Sequence, residues 1–338
     1  MPKIKTAVLL AAGKSTRTYP LTLTRPKPLL KVRDKTLLDH NLEQLQGLVE
    51  EVILIVGYRA EQLQAAVKKA RMPVRCIEQK QQLGTGHALL QAEPFIDGDF
   101  LVLVGDDLFH HDDIRRCIRH TPAVLAQRVA HPERFGVFLL NGRHIAKVVE
   151  KPKEFVSDLA NTGCYVFPKS IFPILHQLQP SPRGEIELTD ALNVLAEQAK
   201  VSCVRVQKYW LPIGYPWSLL DAQKKLGATV SIGKGCTIAP SARISNSILM
   251  DRCTVGEHAH IFYSVIGNDV HIGNNVRILY KQREPVRSLV NGAWVDTGRK
   301  MLGAIIGDNV TVQPNTIIHP GIKISPNQTI SGEVAKDR

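Results

Sequence analysis

The chain has 338 residues, 44 % hydrophobic and 22 % charged, a length that suits two cores better than one. Its 43 Lys/Arg outnumber 31 Asp/Glu, for a net charge of +12. The excess is spread without a long basic run and aromatics are only 6 %, so anionic small-molecule substrates fit it better than nucleic acid. No apolar run approaches the roughly 20 residues that span a bilayer. The first strand leads into a glycine loop, not a small-residue cleavage site, so no signal peptide is expected. Six cysteines, at 76, 117, 164, 203, 236 and 253, form no Cys-x-x-Cys pair. That argues against zinc or a disulfide framework and for a reduced, cytoplasmic setting.

Taken in order, residues 6–12 read as a buried parallel strand. Leu38, Leu42, Leu45 and Leu48 share one face of a helix predicted over 37–48. Residues 51–56 (EVILIV) are a second buried strand, 60–70 a second helix, 74–77 a third strand and 100–104 (FLVLV) a fourth. This alternation predicts a parallel sheet with helices on both faces, whose ligands bind beyond the carboxyl ends of the strands.

The pattern changes at about residue 229. Aliphatics recur at Ile232, Ile238 and Ile244, then at Leu249, Val255 and Ile261, then at Ile266, Ile272 and Ile278. They return at Ile306, Val312, Ile318, Ile324 and Ile330. A six-residue step is neither helical nor a simple alternation. It matches a β-helix in which each side of a coil takes one hexapeptide and points one aliphatic inward. The division expected is 1–228 for an α/β domain and 229–338 for the β-helix, with association into a homo-oligomer through the flat coil faces.

The richest chemistry begins at the first strand, with Leu9-Leu10-Ala11-Ala12-Gly13-Lys14-Ser15-Thr16-Arg17 and then Pro26-Lys27-Pro28. A strand entering a glycine turn offers backbone N–H groups to an anion, and Arg17 and Lys27 add positive charge. Gly13-Lys14-Ser15 does not end a P-loop, because Val8 stands where that motif needs glycine. A second block, Gln79 to Ala88 (QKQQLGTGHA), puts an amide after a strand, where it can pair with a base edge. A third, Val104-Gly105-Asp106-Asp107, puts carboxylates at a strand's end, where they suit Mg²⁺. Strand alternation points Asp107 away from Asp106. His110, His111, Asp112 and Asp113 read as a loop and helix cap and not as a metal site.

These blocks resemble the nucleoside-diphospho-sugar pyrophosphorylases, that is, the sugar-1-phosphate nucleotidyltransferases, and the resemblance covers nearly the whole chain. Ser15 stands where the family's Gly-x-Gly-Thr-Arg pattern has its second glycine. The resemblance implies a Rossmann-like mixed-sheet catalytic domain followed by a left-handed β-helix. It implies Mg²⁺ on Asp106, and Arg17 and Lys27 as catalytic cations. It further implies nucleotide contacts from Leu10, Ala12, Gly13, Gln79, Gly84 and Thr85, and sugar-phosphate contacts from Gly136, Glu150, Lys151 and Asn161. The substrates implied are a sugar-1-phosphate and UTP or dTTP.

Two departures stand out. In Trp210-Leu211-Pro212-Ile213-Gly214, Pro212 replaces the aspartate that is a second metal ligand in many relatives. The tail resembles the acetyltransferase half of archaeal-type bifunctional enzymes, most closely at residues 292–304, yet Gln282 occupies the place of the catalytic histidine. Acetyl-CoA use is therefore not expected. His258, His260 and His271 read as coil-edge residues. Two alternatives accompany the nucleotidyltransferase reading: a bifunctional enzyme that also acetylates an amino-sugar-1-phosphate, and a catalytically weak paralogue that binds nucleotide sugars and regulates a partner.

Overall fold

The computed structural model describes residues 4–335. The chain forms two compact units, Met1–Gly13 with Leu38–Pro212 and Lys14–Leu37 with Ile213–Arg338. It leaves the first unit after Gly13 and re-enters it at Leu38.

The strands and helices before the repeats are β1 (Thr6–Leu10), β2 (Lys31–Val32), β3 (Lys35–Thr36), α1 (Leu37–Leu45), β4 (Glu51–Val56), α2 (Ala60–Val67), β5 (Val74–Glu78), α3 (Thr85–Leu90), β6 (Phe100–Val104), β7 (Leu108–Phe109), α4 (His111–Cys117), β8 (Ala123–Arg128), β9 (Gly136–Asn141), β10 (His144–Glu150), β11 (Leu159–Phe167), α5 (Ile171–Gln177), α6 (Leu188–Gln198), β12 (Ser202–Arg205), β13 (Trp210–Leu211) and α7 (Ser218–Lys225). Helix α1 stops short of the predicted residue 48. Gly47 there has φ 75°, a left-handed turn that ends a helix.

The first unit holds a nine-stranded sheet in the order β5-β4-β1-β6-β11-β8-β12-β10-β9. β5, β4, β1 and β6 are parallel, with Val8 opposite Ile53 and Val102. β1, β4 and β6 are almost wholly apolar because both faces are covered, and every residue of β1 is buried, whereas the edge strand β5 carries Arg75 and Glu78 and is only partly buried. The sheet is mixed beyond β6. β11 runs antiparallel to β6 and β8, and β9 and β10 are joined by Gly142 and Arg143 alone, a link that allows only antiparallel pairing. The core gathers Val8, Ile53 and Val102 with Phe100, Phe167 and Phe172.

The second unit carries a left-handed parallel β-helix whose coils begin at Ser231–Ile232. Three five-stranded parallel sheets form its sides. Ile232, Leu249, Ile266, Ile306 and Ile324 stack in register on one side. Val255, Ile261, Ile272, Ile278, Val312 and Ile318 are at most 2 % exposed, as the six-residue step predicts. Ile232 is 48 % exposed, because the first coil has a neighbour on one side only. Left-handed backbone recurs at coil corners, among them Asn246, His258, Asn275, Asn309 and Asn327. His258 is thus a corner residue. Between the third and fourth coils an arm departs and returns at a Lys281–Met301 bridge. Its strands Arg287–Val290 and Ala293–Asp296 form a hairpin.

Candidate functional site

In the first unit, backbone bonds fix the start of the glycine loop. The Leu10 carbonyl accepts the Gly105 N–H (2.8 Å), and the Ala12 carbonyl accepts the Tyr58 N–H (3.0 Å). Leu10 and Ala12 are buried and Gly13 is exposed.

Gln79, 4 % exposed, follows β5. Its Nε2 donates to the Gly84 carbonyl (3.1 Å) and lies 3.0 Å from His87 Nδ1. With Nε2 thus engaged, Oε1 is the atom left to accept from a ligand. Gly84 takes φ 100°, and a Cβ there would meet the Ile186 carbonyl at 2.6 Å, so only glycine fits. The Thr85 hydroxyl accepts the Leu188 N–H at the start of α6 (3.1 Å). Its side chain thus serves the protein's own helix. Nothing in the sequence around His87 signals a role for it, because its bond to Gln79 needs the α3 turn to form.

At the end of β6, Asp106 is partly buried. The neighbouring Asp107 accepts the Trp210 indole N–H on Oδ2 (3.1 Å) and the Asn41 amide on its carbonyl (2.8 Å), so it is a structural carboxylate. β13 pairs with β7, Trp210 opposite Phe109 and Leu211 opposite Leu108. Continued one residue, that register sets Pro212 across from Asp107. The position that departs from the family pattern is thus beside the Asp106 segment, with no side-chain donor atom to offer a metal. Among the described residues no group of three His, Cys, Asp or Glu is arranged to hold a metal ion. One carboxylate with substrate phosphates fits Mg²⁺, which keeps waters and uses few protein ligands.

The acidic and histidine-rich run that follows is structural. His110 caps α4 by accepting the Asp112 N–H (3.1 Å). Asp113, fully buried, accepts the N–H groups of Gln207, Lys208 and Tyr209 at 2.9–3.1 Å and pairs with Arg116.

Gly136, Glu150 and Asn161 meet. β9 and β10 set Gly136 opposite Glu150, and a Cβ on Gly136 would stand 2.8 Å from Glu150 Oε2 and 3.7 Å from Asn161 Cβ. Asn161 Nδ2 donates to the Tyr165 hydroxyl (2.7 Å), and its Oδ1 accepts the Gly163 N–H (3.0 Å). Lys151 pairs with Glu150 at 3.4 Å and holds φ 43°, a left-handed backbone rare for lysine. Arg183 lies 3.8 Å from Glu150 and 2.7 Å from Glu187. Burial and a hydrogen bond with Glu185 raise the Glu187 carboxyl above its usual range, against the Arg183 guanidinium. Burial and the nearby Glu150 raise Asp190 likewise. Arg183, Glu187 and Asp190 carry no motif, and long-range packing alone brings them near Glu150.

Arg17 and Lys27 belong to the second unit. Ser15 has φ 52°, where glycine is free of strain, which explains the family's preference at that position. Its carbonyl accepts the Thr18 N–H and the hydroxyls of Thr18 (2.6 Å) and Thr22 (3.0 Å). Arg17 is exposed, its guanidinium 5.7 Å above the Tyr215 ring. Lys27 is 5 % exposed and opens a 3₁₀ turn. On the arm, Gln282 Nε2 donates to the Pro285 carbonyl (3.1 Å).

Residues 6–229 match the family model described as nucleotidyl transferase, and 216–338 match the one described as the GMPPB C-terminal domain. The chain is 36 % identical to the bifunctional protein GlmU of Methanococcus maripaludis, over 98 % of this chain and 94 % of that protein. It is 38 % identical to the UTP–glucose-1-phosphate uridylyltransferase AglF of Haloferax volcanii, over 65 % of this chain and 96 % of that one. A solved UDP-glucose pyrophosphorylase complexed with UDP-glucose superposes with a TM-score of 0.59 at 27 % identity, over 66 % of this chain and 98 % of that one.

Proposed function

The chain belongs to the nucleotidyl transferase family, and from that premise we propose how its residues divide the work. It transfers a nucleoside monophosphate from UTP or dTTP to a sugar-1-phosphate and releases pyrophosphate. A sugar-1-phosphate oxygen is already ionised near pH 7, so no general base is needed. Catalysis is alignment for in-line attack on the α-phosphorus, with neutralisation of phosphate charge.

Residues 1–228 carry this reaction and 229–338 form the β-helix. The N–H groups of the loop at Leu10, Ala12 and Gly13 receive the nucleotide. Gln79 reads the pyrimidine through Oε1, with Gly84 and the Thr85 backbone shaping the loop. Gly136, Glu150 and Asn161 hold sugar hydroxyls, and Lys151 holds the sugar phosphate. Arg17 stabilises the departing pyrophosphate and Lys27 the phosphates at the reacting centre. Asp106 would hold Mg²⁺, which when bound neutralises phosphate oxygens. The observation that carries this reading is the meeting of Gly136, Glu150 and Asn161. A close-approach glycine between a carboxylate and an amide suits a polyol.

The test is pyrophosphate release across a panel of triphosphates and sugar-1-phosphates. UTP or dTTP is expected to outpace ATP and GTP; a purine donor preferred by the native enzyme overturns the Gln79 assignment. In the same assay Gln79→Ala is expected to raise KM for the pyrimidine triphosphate about tenfold while kcat changes less, since Gln79 acts on the base and not on the phosphorus. Pro212 favours one second reading, a weak paralogue that binds nucleotide sugars; nucleotide-sugar binding without pyrophosphate release identifies it.

The flat coil faces support association into a homo-oligomer, a trimer or a multiple of one. Light scattering at micromolar concentration is expected to give at least three times the 37.5 kDa of one chain; a monomer refutes it.

A further inference from the structure

The segment 14–37, which carries Arg17 and Lys27, is in the same compact unit as the β-helix. Two coil-corner aspartates grip it. Asp308 pairs with Arg25, both side chains at most 15 % exposed, and also accepts the Thr24 hydroxyl (2.6 Å). Asp251 receives the Lys31 ammonium on both oxygens at 2.6 Å. The same carboxylates cap successive coils. Asp251 accepts the Lys234 N–H and Asp308 the Asn268 N–H, each at 2.8 Å. Their positions are therefore set by the coil stack. The grip brackets Lys27 in sequence, with Thr24 and Arg25 before it and Lys31 after it.

Arg17 is held from a second side. Its guanidinium lies over Tyr215, the Tyr215 ring stacks on Trp217 at 4.7 Å and 6°, and the Lys323 ammonium lies 5.5 Å over Trp217. Because Trp217 occupies one face of Tyr215, the four groups make a column: cation, ring, ring, cation. Lys323 belongs to a β-helix strand. Among the described residues no carboxylate pairs with it, and burial lowers its pKa to about 8. An unpaired, half-sunk lysine costs stability at neutral pH, so packing alone does not account for it.

We infer that the β-helix is a positioning element of the nucleotidyl site, in which Asp308 sets the turn bearing Lys27 and Lys323, through Trp217 and Tyr215, sets the guanidinium of Arg17. This rests on the reading of Arg17 and Lys27 as the phosphate-binding cations.

The test uses the full chain and inorganic pyrophosphate in the reverse reaction. Arg17→Ala is expected to raise KM for pyrophosphate at least about tenfold, and Lys323→Met about three- to fivefold, while KM for the nucleotide sugar holds. Lys323→Met removes a buried charge at equal volume, so its unfolding temperature at pH 7 is expected to be no lower than the native protein's. Weaker pyrophosphate binding in a fold at least as stable is a signature that a merely structural lysine does not produce. Asp308→Asn keeps the acceptor for the Asn268 N–H and is expected to lower kcat about tenfold. Combining it with Arg25→Gln is expected to add little, because both remove one interaction. If Arg17→Ala leaves KM for pyrophosphate unchanged, the assignment of Arg17 fails. If Arg17→Ala raises it and neither Lys323→Met nor Asp308→Asn alters KM or kcat, the assignment stands and the positioning inference is overturned.

Discussion

Asp106→Ala is expected to lose pyrophosphate release by about 10²–10³-fold, with its cooperative unfolding transition intact. The magnitude follows from the ligand set. Asp107 is committed to the Trp210 indole and Pro212 has no side-chain donor atom, so no neighbouring carboxylate replaces the lost one. Losing a metal's protein ligand removes several kcal/mol of charge stabilisation, and each ~1.4 kcal/mol is a factor of about ten in rate. Asp107→Asn is the control. It keeps an acceptor for the indole, so turnover is expected to stay within a few-fold. Activity of Asp106→Ala close to the native enzyme's overturns the metal assignment. Equal losses in both variants reassign the pair as structural.

The second large effect is an absence of activity. With acetyl-CoA and glucosamine-1-phosphate or galactosamine-1-phosphate, thiol release is expected to run far below nucleotidyl transfer. An ammonium must lose a proton before attacking a thioester, and a positioned imidazole contributes roughly 10²–10⁴-fold to such a step. Gln282 is neutral, and its amide nitrogen is occupied by the Pro285 carbonyl. The next residue, Arg283, adds a positive charge that disfavours a cationic amino sugar. Relatives named as bifunctional over nearly the whole chain make this a demanding test. Acetylation comparable to nucleotidyl transfer, abolished by changing His258, His260 or His271, restores the bifunctional reading.

Much of the architecture is local, and local order is legible in a sequence. The coil aliphatics recur because one side of a β-helix coil takes one hexapeptide, and Leu249, Val255 and Ile261 are buried as that step predicts. β1, β4 and β6 read as buried strands because both faces are covered. The one-sided exposure of Ile232 and the early end of α1 at Gly47 are boundary effects that a periodic pattern does not carry. The antiparallel entry of β11 is a pairing choice, and pairing partners lie far apart in the chain.

The candidate site divides in the same way. Gly13, Gln79 and Asp106 follow strand ends, and Arg17, Lys27 and Gly84 lie in the short motifs downstream of those ends, so the residue types and their order alone indicate the chemistry they allow. Tertiary structure alone decided what each side chain is committed to. Thr85 turned its hydroxyl to α6, Asp107 went to the Trp210 indole, and Gln79 was left with its oxygen. Arg183 and Glu187 came near Glu150 from a loop over 30 residues away. The grip of Asp251 and Asp308 on segment 14–37 spans more than 200 residues of chain. A salt bridge or a ring stack depends on distance in space, and no periodicity or spacing in the sequence encodes which distant carboxylate will meet which cation.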